Sequence, residues 1–250
     1  MASSAPWHAE ELLAFDLETT GVDRFGDVPV SFALVWVRGT EVVSLESAVI
    51  DPGRDIPPGA TAVHGITTER ARRDGIPLST AVKRIAGAVV GASCREVPIV
   101  GMKLDYDLTM LDACYRRETG RGLEDDGFRG PVLDALVLDR HVDRFRRGKR
   151  TLADLCGHYG VVIEHAHDAA ADAKAAVDVV VEMCRRYPEL SALRPLELYA
   201  AQASWHAEWL ASFSEWRARK GLPPLDDRDA RWPIAVGTSP STDSAASVAS

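Results

Sequence analysis

The run Leu12-Leu13-Ala14-Phe15 is followed by Asp16, Leu17 and Glu18. Four apolar residues in a row read as a buried strand, one that a fold must cover on both sides. Side chains two apart on a strand point the same way, so Asp16 and Glu18 project together from its far end. Two like charges at the end of a core strand are costly unless a cation compensates them. That is the pattern expected of a site for hard divalent ions, although the two acids taken alone could equally open a polar loop.

The rest of the chain must then build the layers around this strand. Val28 to Val37 and Glu41 to Ile50 are Val-rich and joined by Arg38-Gly39-Thr40, which predicts an antiparallel hairpin. Asp51 to Ala60, with its Pro57-Pro58 pair, reads as a long loop. Thr67 or Thr68 can cap a short helix through Arg73, and Ser79 a second carrying Val82, Ile85, Ala86 and Val89 at helical spacing. A short strand is expected over Val97 to Gly101, a helix over Asp105 to Glu118, a loop over 119–130 and a strand or strand-like segment over Val132 to Leu138. Helices follow over Thr151 to Tyr159 and His167 to Arg186. Strands alternating with helices after a leading hairpin give an α/β fold with a mixed sheet covered on both faces. Trp205, Trp209, Leu210, Phe213 and Trp216 fall at helical steps and predict a C-terminal helix that packs back on the domain or meets a partner.

We therefore expect an α/β domain over residues 1–188 with its core at 11–186, a helical extension over 189–234 and a disordered, Ser- and Ala-rich tail over 235–250. The 250 residues suffice for that, and 46% apolar with 26% charged residues is ordinary for a globular protein. No run approaches a membrane span and the first residues lack the features of a signal peptide, so a cytoplasmic protein without a membrane partner is expected. Cysteines 94, 114, 156 and 184 are scattered, as reduced structural thiols are, and offer no zinc spacing. A formal net charge of −8 argues against a protein that coats nucleic acid non-specifically, while leaving room for a local basic patch.

Two further acids stand on apolar helix faces. In the helix after Gly101, Asp105, Thr109, Asp112 and Arg116 form one solvated face, whereas Asp107 aligns with Met110, Leu111 and Cys114. In the long helix Lys174, Asp178, Glu182 and Arg185 make the polar face, whereas Asp172 shares its side with Ala169, Ala176, Val179, Val180 and Met183. Asp168 suits the helix start. His167 stands at the same entrance, where a histidine alone is more often a cap or a surface residue. Together, four oxygen-donor acids suit two Mg²⁺ or Mn²⁺ ions rather than zinc. A metal pair with a histidine as base for water is a device for phosphodiester hydrolysis.

At this point the motifs resemble the DEDD exonucleases of the ribonuclease H-like fold, in the subgroup whose last motif is His-x-x-x-x-Asp. Phe15-Asp16-Leu17-Glu18-Thr19-Thr20-Gly21 is similar to the first motif, Tyr106 to Leu111 to the second and His167 to Asp172 to the third, together covering about residues 11–186. Ile56-Pro57 with Val63-His64-Gly65-Ile66-Thr67 is similar to the segment flanking the 3′ nucleotide in bacterial polymerase III proofreading subunits. The resemblance implies a mixed five-stranded sheet, two bound Mg²⁺ or Mn²⁺ ions on Asp16, Glu18, Asp107 and Asp172, and His167 as general base. It implies too that Leu17, Thr19, Thr20, His64 and Ile66 hold the terminal nucleotide. The expected activity is 3′-to-5′ exonucleolytic cleavage of nucleic acid with a free 3′ end, DNA favoured over RNA, with a replication or repair protein as a possible partner. A ribonuclease or oligonucleotide hydrolase, and a non-catalytic nucleic-acid-binding module, are the alternatives.

One departure from the family stands before the second motif, where Met102-Lys103 replaces the usual His-Asn. The basic stretch Arg140, Arg144, Arg146, Arg147, Lys149 and Arg150 is a candidate grip on the nucleic-acid backbone, with Arg144 and Arg147 singled out. A solvated loop is the competing reading.

Overall fold

A computed structural model describes residues 6–163, 168–225 and 231–235. Its strands are β1 (Glu11–Thr19), β2 (Pro29–Arg38), β3 (Glu41–Asp51), β4 (Ile76–Pro77), β5 (Ile99–Gly101) and β6 (Val132–Asp134). They form one mixed sheet of order β4-β3-β2-β1-β5-β6, in which β1–β2 and β2–β3 are antiparallel and the other neighbours parallel. The sheet has six strands rather than the five expected. The addition is β4, which pairs Ile76 and Pro77 with Ile50 and Asp51. Two residues carry no readable alternation, so the sequence gives no sign of it.

The helices are α1 (Pro58–His64), α2 (Thr68–Asp74), α3 (Leu78–Cys94), α4 (Leu104–Thr119), α5 (Ala135–Val142), α6 (Leu152–Tyr159), α7 (Ala169–Arg186), α8 (Pro188–Ala192) and α9 (Pro195–Arg219). They cover both faces of the sheet, and β1 divides its side chains between them. Leu13, Phe15 and Leu17 join the core made with α3 and α4, whereas Leu12 and Ala14 join the core made with α6 and α7. This ribonuclease H-like arrangement makes β1 the central buried strand that its four apolar residues require. Among the described residues no helix is long and apolar enough to cross a membrane.

Three local expectations are corrected. The loop expected over Asp51 to Ala60 ends at Pro57, because Pro58 starts α1 from a first-turn position that needs no N–H, and Gly65, at φ 72°, closes that helix in the left-handed region. Val132 to Leu138 is not one strand: it changes to α5 after Asp134, whose side chain accepts the Leu136 N–H at 2.8 Å. An apolar run of seven residues looks the same as buried strand or buried helix. The helix α3 starts at Leu78 with Pro77 at its N-cap and no side-chain cap, so Ser79 does not cap it.

The face of α4 expected to be solvated is covered at its centre, while Arg116 at its end stays exposed. Thr109 and Asp112 are 1% and 5% exposed. Asp112 accepts the Leu123 N–H at 2.7 Å, and Thr109 accepts the Ala235 N–H at 2.9 Å. Trp232 and Ile234 join the core beside them. A residue more than 100 positions downstream thus meets Thr109, and the turn at Leu123 meets Asp112, although the spacing of both reads as surface.

The helix α9 lies against β6. Gln202, fully buried, accepts the Asp134 N–H at 2.9 Å through its side-chain oxygen and donates its amide to the Val132 carbonyl at 2.9 Å. A single side chain thereby satisfies backbone groups that an edge strand would otherwise leave open. Residues 236–250, expected as most of the tail, lie outside the described residues.

Candidate active site

Asp16 and Glu18 continue the face of β1 that carries Leu12 and Ala14, the face packed against α7. Small residues at the start of α7, Ala169 and Ala173, are buried there and let the helix approach the strand. Asp168 caps it by accepting the N–H groups of Ala170 and Ala171, both at 3.1 Å. Asp172 therefore comes down over the end of β1. Ligand oxygens of Asp16, Glu18 and Asp172 all lie within 4.8 Å of one another.

Asp107 enters from the other face, in the first turn of α4. Gly101 permits the sharp turn from β5 into that helix, since a Cβ there would meet the Phe15 carbonyl oxygen at 2.7 Å. Asp107 is buried and close enough to Asp16 to raise its pKa, yet it stands outside the cluster of three.

Asp16, Glu18 and Asp107 are each harder to ionise than an ordinary carboxyl. Burial first, then Asp107, Asp172 and Glu18, hold the Asp16 carboxyl well above the usual carboxylate range. Burial, then Asp172 and Asp168, push Glu18 up to about 7. Asp107 is likewise raised, by burial and then by Asp105, Asp134 and Glu18, with Lys103 opposing. No Lys or Arg of the described residues pairs with Asp16, Glu18 or Asp107. An all-oxygen set this close, with Asp16 and Glu18 destabilised as anions, fits a hard divalent cation, whose oxygen ligands stand about 2.0–2.6 Å away.

Beside the cluster a cavity of about 300 Å³ is lined by Glu18, His64, Ile66, Arg70 and Asp168 together with residues of β2 and β3. The His64 Nδ1 accepts the Ile66 N–H at 3.1 Å, which leaves Nε2 to carry the proton. Burial lowers the His64 pKa, the Thr19 backbone partly offsetting it, so the ring is neutral near pH 7.

The sequence profile of the exonuclease family (RNase_T) matches residues 13–180, which span β1 to most of α7. The chain belongs to the exonuclease family. It is 30% identical over 168 residues to the PolC-type DNA polymerase III of Latilactobacillus sakei, covering 66% of this chain and 11% of that one. It is 29% identical over 184 residues to an uncharacterized exonuclease, CP81, of Escherichia phage 186, covering 70% of this chain and 88% of that one. The solved structure of E. coli exonuclease I in complex with a dT13 oligonucleotide superposes with a TM-score of 0.61 at 22% identity, covering 72% of this chain and 42% of that one. The chain thus spans only a small part of the polymerases it matches, and the last likeness is one of fold.

Within this exonuclease-family chain the remaining expected residues divide. His64 and Ile66 line the cavity, while Leu17 is 7% exposed and lies in the core on the opposite face of β1 from Glu18. Thr20 is 2% exposed, its hydroxyl donating to Asp27 at 2.7 Å and accepting the Val28 N–H at 3.1 Å. The Thr19 hydroxyl donates to the Gly21 carbonyl at 2.8 Å and lies 3.2 Å from the Tyr106 hydroxyl. Both threonine hydroxyls therefore brace the loop after β1. His167 lies outside the described residues.

The basic stretch splits in two. Arg146 donates to the fully buried Asp139 at 2.8 Å, Arg150 pairs with the same carboxylate, and the Arg140 guanidinium lies 3.5 Å from the Trp209 ring centre. Arg144, Arg147 and Lys149 are exposed. Three of the six cations are thus engaged within the protein.

Two residues to which the motifs assign no role, Asp134 and Tyr106, also shape the site. Asp134 accepts the N–H groups of Lys103 and Leu104 at the start of α4, and an acid inside the apolar stretch 132–138 was the available signal. Tyr106 donates to the Gly21 carbonyl, tying the second motif to the first. Burial pushes its hydroxyl up to about 12. Nothing local in the sequence announces a bond across 85 positions.

Proposed function

We propose that the chain is a metal-dependent exonuclease that removes nucleotides from the 3′ end of DNA. The observation that carries this reading is the meeting of Asp16, Glu18 and Asp172, with mutually accessible oxygens within 4.8 Å, in a chain of the exonuclease family. Two Mg²⁺ or Mn²⁺ ions held by these acids and Asp107 would stabilise charge on the reacting phosphate and lower the pKa of the attacking water. His64 and Ile66, with the backbone around Thr19, bind the terminal nucleotide in the adjoining cavity. His167, by its place in the third motif, takes the proton from water near neutral pH. Residues 1–188 form the catalytic domain and 189–234 an extension to it.

DNA as the substrate is supported by the PolC-type DNA polymerases among the relatives and by the oligonucleotide bound to E. coli exonuclease I. The same relatives favour a replication or repair setting.

The test is incubation of the protein with 3′-labelled and 5′-labelled single-stranded DNA and RNA in Mg²⁺, Mn²⁺ or EDTA. Mononucleotides released from the 3′ end only with metal, and lost in Asp16→Ala, are the expected result. Binding without cleavage in every metal would overturn it in favour of a non-catalytic module. RNA cleaved in preference to DNA would place the chain among the ribonucleases.

A further inference from the structure

The 300 Å³ cavity lies toward β2 and β3. On the other side of β1, past β5 and β6, two cavities of about 390 and 150 Å³ share Arg140 and Trp209 and form one groove between α5, the loop after it and α9. Its inner end is lined by Lys103 and Asp105, at the start of the helix that carries Asp107. The active-site acids therefore stand between the cavity and the groove.

The groove's walls combine cations with aromatic rings. Arg140, Trp209 and Phe213 form a column along one wall, with 3.5 Å from the guanidinium to the Trp209 ring centre and 5.0 Å between the two rings. Facing it on the α5–α6 loop, Phe145 is 88% exposed, with the Arg144 guanidinium 5.8 Å from its ring centre. That loop is pinned by Arg146 and Arg150 on Asp139, so Phe145 is held out in water by an ordered support. Of the acids lining the groove, Asp134 is consumed by backbone N–H groups and Asp105 is paired with Arg24 at 3.4 Å. Glu208 is then set against Lys103 and Arg144, which leaves the groove complementary to an anion.

Exposed aromatic rings among cations are the features by which single strands are held, rings stacking on bases and cations tracking the phosphates. A duplex keeps its base faces stacked on each other and could not use Phe145. We propose that this groove binds single-stranded DNA on the 5′ side of the bond that is cut, with Phe145 as a stacking platform and Lys103 and Arg144 on the backbone. The inference rests on the exonuclease reading above and adds where the strand enters.

Fluorescence anisotropy in EDTA with labelled dT2, dT12, rU12 and a 12-base-pair duplex tests it. The wild type should bind dT12 at least about tenfold more tightly than dT2. Phe145→Ala should lose most of that length-dependent gain and Phe145→Trp should restore it; Arg144→Ala should weaken dT12 binding and lower the salt slope by about 0.7. Both side chains are exposed, so unchanged melting curves serve as the folding control. An undiminished length gain in both alanine variants, or equal binding of the duplex, overturns the groove even if 3′ nucleotides are still released. A gain seen with rU12 and absent with dT12 overturns the choice of DNA. Absence of both binding and cleavage with every oligonucleotide overturns the exonuclease reading as well.

Discussion

Asp134 accepts the backbone N–H of Lys103 at 3.0 Å and holds that residue in the left-handed region, at φ 62°. The same carboxylate accepts Leu104 and Leu136 N–H groups at 2.8 Å each, so it joins the starts of α4 and α5. Asp134→Ala leaves three buried or half-buried donors without their acceptor. A loss of about 3 kcal/mol or more is expected, read by urea denaturation, since each unsatisfied buried group costs about 1–3 kcal/mol. A loss below that of an ordinary surface substitution would contradict the clamp.

Lys103 bears the backbone cost of that clamp. A non-glycine residue in the left-handed region loses about 1–2 kcal/mol, which Asn avoids in part through its local hydrogen bonding. Lys103→Asn should therefore raise stability by about 1 kcal/mol, which for a chain of this size is about 2–4 °C in Tm. Differential scanning calorimetry checks it; an unchanged or lower Tm would show that the lysine side chain compensates.

The acids make the metal-free protein sensitive to pH in a definite direction. Burial and the neighbouring Asp172 push Glu18 up to about 7 in the folded state from its ordinary 4.5, so between these limits the folded protein holds more protons than the unfolded one. Stability must then fall as pH rises through this window, and the upward shifts of Asp16 and Asp107 add to the fall. Melting in EDTA from pH 4.5 to 8 should show the decline, and Mg²⁺ should remove most of it by binding the ionised cluster. A Tm that rises with pH in EDTA would refute the assignment.

Asp16→Asn separates function from stability. Removing one of several repelling carboxylates should raise the Tm of the metal-free protein, while nuclease activity should fall by at least about a hundredfold. Parallel loss of both would show that Asp16 serves the fold rather than the site.

Asp139 anchors Arg146, Arg150 and the Tyr159 hydroxyl, the last at 2.8 Å. Asp139→Ala strands two partly buried guanidinium groups and should cost about 3–5 kcal/mol. Arg147→Ala, on the exposed part of the same loop, should stay within about 0.5 kcal/mol of wild type. Chemical denaturation of the two variants distinguishes an anchored loop from a merely solvated one.

Which side chains share a face is written in the residues themselves. Period-two spacing put Asp16 beside Glu18, helical spacing put Asp107 with Met110 and Leu111 and Asp172 with Val179, and local caps started α6 at Thr151 and α7 at Asp168. These features are set by backbone geometry within a turn or two, so they are written in neighbouring residues. What covers each face depends on how the elements pack. Thr109 and Asp112 are spaced as a surface, yet both are buried, with Ala235 on the one and Leu123 on the other; Arg146 and Arg150 read as free cations, yet Asp139 holds them. Packing also brought Asp172 to within 4.8 Å of Asp16 and Glu18 while setting Asp107 just outside. Such separations depend on how closely α7 and α4 approach β1, which the packing of Ala169, Ala173 and Gly101 fixes in three dimensions.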